Sequence, residues 1–113
     1  MSDSKKEIRR NFRDTSFKRD KYKCVTCNFQ SSPEKSLEEL DCHHIIPRTE
    51  MPNGGYVKEN GISLCSDCHL KAEEFYSTGI AVPGFSPEEL YKRINSSKEK
   101  AIEASKRLEH EKR

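Results

Sequence analysis

Asp41-Cys42-His43-His44-Ile45 and Cys65-Ser66-Asp67-Cys68-His69 decide how this chain is read. Three of its four histidines sit in these two pieces, and four of its five cysteines pair around them, as Cys24/Cys27 and Cys65/Cys68. Two thiolates spaced by two residues can hold one ion, because the tight turn between them aims both sulfurs inward. The pattern is C-x2-C, a 37-residue insert, and a second C-x2-C. Two such knuckles close one tetrahedral site. Four sulfurs leave no open position, so the site is structural, and Zn2+ is the expected ion. A zinc finger with His43 in place of a cysteine is the rival arrangement. Adjacent His43 and His44 do not fit an H-x3–5-H pair, and four cysteines already complete a site. Cys42 is left over and reads as a packing thiol on a strand.

Composition fits a metal-stapled domain. The chain has 113 residues, 32% hydrophobic and 35% charged, with no tryptophan and a mean hydropathy of -0.98. Ordinary domains are roughly 45–50% apolar and about 25% charged. A single small domain this polar has little core, and such domains lean on a disulfide, a metal or a partner. No apolar run follows the basic start and no stretch approaches transmembrane length. That predicts a cytoplasmic, intracellular setting with no membrane association, where thiols stay reduced and bind metal.

Charge is unevenly spread. Residues 1–23 carry nine Lys/Arg against four Asp/Glu, and residues 24–80 carry four against nine. The acidic middle suits a cation, and the basic start suits phosphate. Charged termini are equally what a solvated surface looks like.

Residues 1–10 are polar and read as a flexible arm. From about Asn11 to Asp20 the spacing predicts a short helix anchored by Phe12 and Phe17. Residues 29–37 read as a loop, Leu40 to Ile46 as a strand ended by Pro47, and Arg48 to Asn60 as a long loop. Gly61-Ile62-Ser63-Leu64 is a second short strand, and Cys65 leads into a helix to about Phe75. Ser86-Pro87-Glu88-Glu89 is a helix start with Ser86 as N-cap. From Ser97 onward the apolar stripe is thin, so that helix is expected to be marginal or to need a partner.

With the sulfurs assigned, His43, His44 and His69 remain, along with Asp41, Asn60 and Glu73. Adjacent residues on a strand point to opposite faces. If one histidine of the doublet holds a metal, the other is available as a general base. His69 opens a helix and Glu73 lies at i+4 on the same face. The pair could grip an ion from one side while His43 grips it from the other.

This constellation resembles the His-Asn-His (HNH) endonucleases. The match runs through Cys24-x-x-Cys27, Leu40-Asp41-Cys42-His43-His44-Ile45-Ile46-Pro47, Gly54-Gly55, and Asn60-Gly61-Ile62-Ser63-Leu64-Cys65-x-x-Cys68-His69, roughly residues 12–75. The approach Lys18-Arg19-Asp20-Lys21-Tyr22-Lys23-Cys24 is also similar. The resemblance implies an α+β fold: a small zinc-stapled ββα-metal (treble-clef-like) nuclease core with flanking helices. The expected division is a basic, flexible arm over 1–11, the core over 12–76 and a charged helical extension over 77–113.

The resemblance further implies roles. His43 and His69 would be metal ligands, His44 the base that takes a proton from the attacking water, and Asn60 the residue that fixes the loop and so orients His44. The implied reaction is metal-dependent hydrolysis of a phosphodiester in DNA, leaving 5′-phosphate and 3′-hydroxyl ends. Some members place a further histidine one turn after His69, where this chain has Glu73. A carboxylate there would harden the site toward Mg2+ or Mn2+, with Ni2+ another candidate, or it is plain helix surface. Arg13, Lys18, Arg19 and Arg48 are the candidate nucleic-acid contacts. The alternative function is a zinc-stapled nucleic-acid-binding module without catalysis, which would not require His44. A homodimer, or docking of the 96–113 helix onto a larger DNA-processing complex, is compatible with either.

Overall fold

The computed structural model describes residues 2–111. Met1 of the N-terminal arm and residues 112–113 of the C-terminal extension lie outside the described residues. Strands β1 (Asp41–His44) and β2 (Gly61–Leu64) form a two-stranded antiparallel sheet, with His43 opposite Ile62 and His44 opposite Gly61. Strand β2 lies where its sequence places it. Strand β1 is shorter than the expected Leu40–Ile46, and the cause is a side chain. Ile45 N–H still donates to the Asn60 carbonyl at 2.9 Å. Ile46 then pairs with the Asn60 side-chain amide: its N–H donates to Oδ1 at 3.1 Å and its carbonyl accepts from Nδ2 at 3.0 Å. The amide takes the place of one further partner residue, and the chain bends away toward Pro47.

The short helix expected over Asn11–Asp20 is the second half of a longer one, α1 (Ser2–Arg19). Residues 2–19 contain neither Pro nor Gly, and their Lys, Arg and Glu are good helix formers. Phe12 and Phe17 are buried as its anchors. α1 packs on both strands, and closely: a Cβ on Gly61 would come within 2.6 Å of Ser16 Oγ and 2.7 Å of Phe12 Cε1. No side chain fits there. The end of α1 also covers the free edge of β2. Arg19 donates to the carbonyls of Lys58 at 2.6 Å and Gly61 at 2.7 Å, and Asp20 accepts from Ser63 N–H at 3.0 Å. Edge groups left bare would invite pairing with another chain.

A one-turn helix, α2 (Ser36–Glu39), precedes β1. The loop from Ile45 to Asn60 is three 3-10 turns, Arg48–Glu50, Pro52–Gly55 and Lys58–Asn60. Helix α3 (Ser66–Thr78) follows β2 and completes a ββα unit. Helix α4 (Pro87–Arg93) opens on the expected capping box: Ser86 Oγ accepts from Glu89 N–H at 3.2 Å, and the Glu89 carboxylate accepts from Ser86 N–H at 3.1 Å. Helix α5 (Lys98–Glu111) packs on the loop containing residues 52–60. Ala101 and Ala104 are buried there, and Asn53 Nδ2 donates to the Ser105 carbonyl at 2.9 Å. The thin stripe that needs a partner finds one in the chain's own loop. No helix among the described residues is long and apolar enough to cross a membrane.

Candidate metal centres and active site

The first knuckle is a tight turn. Cys24 N–H donates to the Phe29 carbonyl at 2.8 Å, and Asn28 N–H donates back to the Cys24 carbonyl at 2.8 Å. Val25 N–H donates to the Ser63 carbonyl at 3.0 Å, which ties the knuckle to β2. The second knuckle spans the junction of β2 and α3. Together they bring Cys24, Cys27, Cys65 and Cys68 within 4.8 Å of one another, and Cys27 Sγ lies 3.8 Å from Cys65 Sγ. A tetrahedral ion at about 2.3 Å from each sulfur implies edges of about 3.8 Å. All five cysteines are free thiols.

The electrostatics suit a cation. Burial, the largest influence on Cys24, raises its pKa, but hydrogen bonds from the Thr26 hydroxyl and the backbones of Cys65, Cys27 and Thr26 outweigh it and hold the thiol at about 6. Burial first, then the neighbouring Cys24 and Cys65, push Cys68 up to about 12. Four thiolates this close repel one another until a cation compensates them, and the thiolate is the form that binds metal. The four-cysteine cluster is thus consistent with a structural zinc site. Cys42 stands apart from it, and burial pushes its thiol up to about 12.

A second cluster lies between β1 and α3. His43, only 2% exposed, projects toward α3. Its Nδ1 lies 3.1 Å from Glu73 Oε2, and His69 Nε2 lies 3.4 Å from the same oxygen. Neither ring nitrogen of His43 makes a hydrogen bond, although both are buried. Burial above all, then the adjacent rings of His69 and His44, pull the His43 pKa down to about 3. The imidazole is therefore neutral, as a ligand must be. Two imidazoles and a half-exposed carboxylate make a donor set suited to a divalent ion and open on its outer side. The orphaned Nδ1 of His43, converging with His69 Nε2 on the Glu73 carboxylate, fits such an ion.

The other nitrogen of His69 is oriented from behind. Its Nδ1 bonds Asp41 Oδ2 at 3.1 Å. A carboxylate at this place fixes a ligand ring and raises its basicity.

His44 takes the opposite face of β1. Its ring lies 4.5 Å from that of Phe12 and meets the Tyr56 ring edge-on at 4.7 Å. Nε2 is buried without a hydrogen-bond partner. Burial, reinforced by the nearby Arg48 cation and opposed by the Gly54 backbone, pulls its pKa down to about 4. The ring is thus neutral and able to accept a proton. The loop beside it is held by Asn60, 0% exposed, whose amide uses its full bonding capacity. Besides the two bonds to Ile46, Oδ1 accepts from Tyr91 Oη at 2.7 Å and Nδ2 donates to the Gly55 carbonyl at 3.3 Å. Gly55 sits at φ +66°, and a Cβ there would come within 2.7 Å of Asn60 Nδ2. Tyr76 Oη donates to the Ile45 carbonyl from α3. The segment just past His44 is therefore pinned on three sides.

The basic candidates separate. Arg48 is exposed beside His44. Arg13 pairs with exposed Asp14 at 3.1 Å, and Lys18 is exposed on α1. Arg19 is engaged by the fold, through Asp20 at 2.7 Å and the two carbonyls at the β2 edge. Four contributors had no assigned role in the sequence: Asp41, Tyr56, Tyr76 and Tyr91. Asp41 was recoverable, because it sits two residues before His43 and so shares its strand face. The tyrosines come from a loop and two helices, with no local pattern to mark them.

The HNH endonuclease family model matches residues 24–75, from the first knuckle cysteine into α3. No curated protein and no solved structure matches the chain.

Proposed function

We propose that this chain, whose residues 24–75 match the HNH endonuclease family model, is a metal-dependent endonuclease hydrolysing phosphodiester bonds in DNA. The observation that carries this reading is the pairing of a neutral His44, whose Nε2 has no hydrogen-bond partner, on one face of β1 with the His43–His69–Glu73 cluster on the other. A divalent ion such as Mg2+, Mn2+ or Ni2+, held by His43, His69 and Glu73, would supply Lewis-acid stabilisation of the scissile phosphate and the leaving 3′ oxygen. His44 acts as general base and takes a proton from the attacking water at its free Nε2. Asn60 acts at one remove, by holding the Ile45–Ile46 turn that carries His44. Asp41 orients His69. Arg48, beside His44, offers a charge-assisted contact to a phosphate oxygen. Cys24, Cys27, Cys65 and Cys68 would hold Zn2+ as a structural ion, which would clamp the base of the β1–loop–β2 element.

A binding module without catalysis is the second reading, since the HNH match supports nucleic-acid binding as well as cleavage. It gives no reason for a half-buried His44 with a partnerless Nε2 across the strand from a histidine–carboxylate cluster. Incubation of the zinc-loaded protein with supercoiled plasmid and Mg2+, Mn2+ or Ni2+ separates the two. Conversion to nicked or linear product, with 5′-phosphate and 3′-hydroxyl ends, is expected. Plasmid that is bound but uncut with every metal would support the binding module instead.

A further inference from the structure

The basic face of α1 extends beyond Arg13 to three further cations. Lys6, Arg9, Arg10 and Arg13 fall at i, i+3, i+4 and i+7 of α1 and so share one face. That face forms one wall of an open groove of about 570 Å3, whose opposite wall includes Leu37 and Asp41. The four cations span about 10 Å of helix axis, the axial length of about three nucleotide steps. Among the described residues, only Arg13 of the four forms an ion pair, with exposed Asp14.

The groove touches both halves of the site. Asp41 lines it and bonds His69 Nδ1 at 3.1 Å. Arg9 lines it and stacks its guanidinium over Tyr56, 5.5 Å from the ring centroid. Tyr56 in turn meets the edge of His44 at 4.7 Å. A polyanion lying along α1 is therefore led to the general base on one side and to the histidine–carboxylate cluster on the other.

We propose that this groove is a phosphate track, in which Lys6, Arg9, Arg10 and Arg13 hold the sugar-phosphate backbone of the polynucleotide substrate. The identity of the polymer rests on the nuclease reading. The position of the track rests on the groove itself. It reassigns the basic contacts within α1, away from Arg19, whose guanidinium is engaged at the β2 edge. Backbone contacts of this kind position a strand without reading its sequence.

The test is binding, kept apart from cleavage. Full-length, zinc-loaded His44→Ala protein is titrated with labelled duplex and labelled single-stranded oligonucleotide in Ca2+, over a series of salt concentrations. The comparison is with the same protein carrying Lys6→Gln, Arg9→Gln and Arg10→Gln, changes that keep good helix formers on α1. A control removes equal charge elsewhere, by Lys92→Gln, Lys98→Gln and Lys106→Gln. Each lost phosphate contact lowers the slope of log K against log salt by about 0.9 for duplex and about 0.7 for a single strand. The groove variant is expected to lose about two to three contacts and at least tenfold in affinity, while the control keeps both. The polymer that shows the larger drop is the one the track holds. Equal losses in groove variant and control, or none in either, would overturn the proposal. So would polyglutamate competing as well as the oligonucleotide at equal charge. A protein that binds through these residues but never cuts with any metal would refute the hydrolytic reading alone. One that cuts equally well with and without them would refute the track alone.

Discussion

Tyr91 Oη donates a 2.7 Å hydrogen bond to Asn60 Oδ1, so that a residue of the C-terminal extension holds the middle residue of the motif. Tyr91 is 4% exposed and Asn60 0%, so water does not substitute for the contact. Two more bonds join the extension to the loop: Ser96 Oγ donates to the Glu59 carbonyl at 2.8 Å, and Asn53 Nδ2 donates to the Ser105 carbonyl at 2.9 Å. The extension braces the loop that shapes the proposed active site.

Tyr91→Phe removes only the hydroxyl. Asn60 Oδ1 keeps its bond from Ile46 N–H, so the expected loss of stability is about 1 kcal/mol. Nicking is expected to slow several-fold through kcat, with KM unchanged. If Tyr91 acts through Asn60, the change adds little on an Asn60→Ala background. Additive losses in that double-mutant cycle would show that Tyr91 acts elsewhere.

Removing the zinc should unfold the domain. The two knuckles join α1, β2 and α3 at one point, and Cys24 and Cys68 belong to the hydrophobic core. Chelation, or Cys24→Ser or Cys68→Ser, is expected to collapse far-UV circular dichroism and abolish the cooperative melt. A spectrum and melt unchanged after complete zinc removal would contradict this.

Asp41 is expected to matter for the second ion. Asp41→Asn leaves a hydrogen-bond acceptor near His69 Nδ1 but removes the charge. Calorimetric titration with Mn2+ or Ni2+ should show affinity about 10–100-fold weaker, with zinc content and fold intact. Glu73→Gln should weaken it further, as a change in a proposed ligand. Unchanged affinity in both variants would place the ion elsewhere.

Alkaline pH should destabilise the fold through its buried tyrosines. Burial, with a smaller push from Glu50 and Glu73, raises Tyr76 from 10.0 to about 12, and burial raises Tyr91 as well. Above pH 10 the unfolded chain has released these protons and the folded chain has not. The stabilisation is therefore complete below about pH 10 and is lost as pH rises through the folded values. Melting temperature should fall over that range, less steeply in Tyr91→Phe. A melting temperature flat from pH 9 to 12, in about 0.1 M salt, would contradict the burial of both hydroxyls.

What was legible in the sequence is what local spacing encodes. The C-x2-C pairs, the histidine doublet, the i,i+4 relation of His69 and Glu73, and the Ser86 capping box are each short patterns with one geometric meaning. Strand β2 and the start of α4 lie where those patterns place them. Strand β1 is shorter than its sequence suggests because its last pairing is made by the Asn60 side chain, which no strand propensity reports. Helix α1 is longer than its apolar spacing suggests because its first half is built from good helix formers rather than an apolar stripe. Arg19 looked like a phosphate contact because its charge was visible and the β2 edge it covers was not. Tyr91 reaches Asn60 across 31 positions, a pairing set by how α4 packs and not by any repeat in the chain.

The central claim is that His44 is the base of a hydrolytic site distinct from the zinc staple. Single-turnover nicking by wild-type protein and by His44→Ala, both shown to hold zinc and to bind Mn2+ or Ni2+ equally, tests it most directly. Loss of a general base is expected to slow cleavage by about 10²–10⁴-fold. Equal rates from the two proteins would contradict the account.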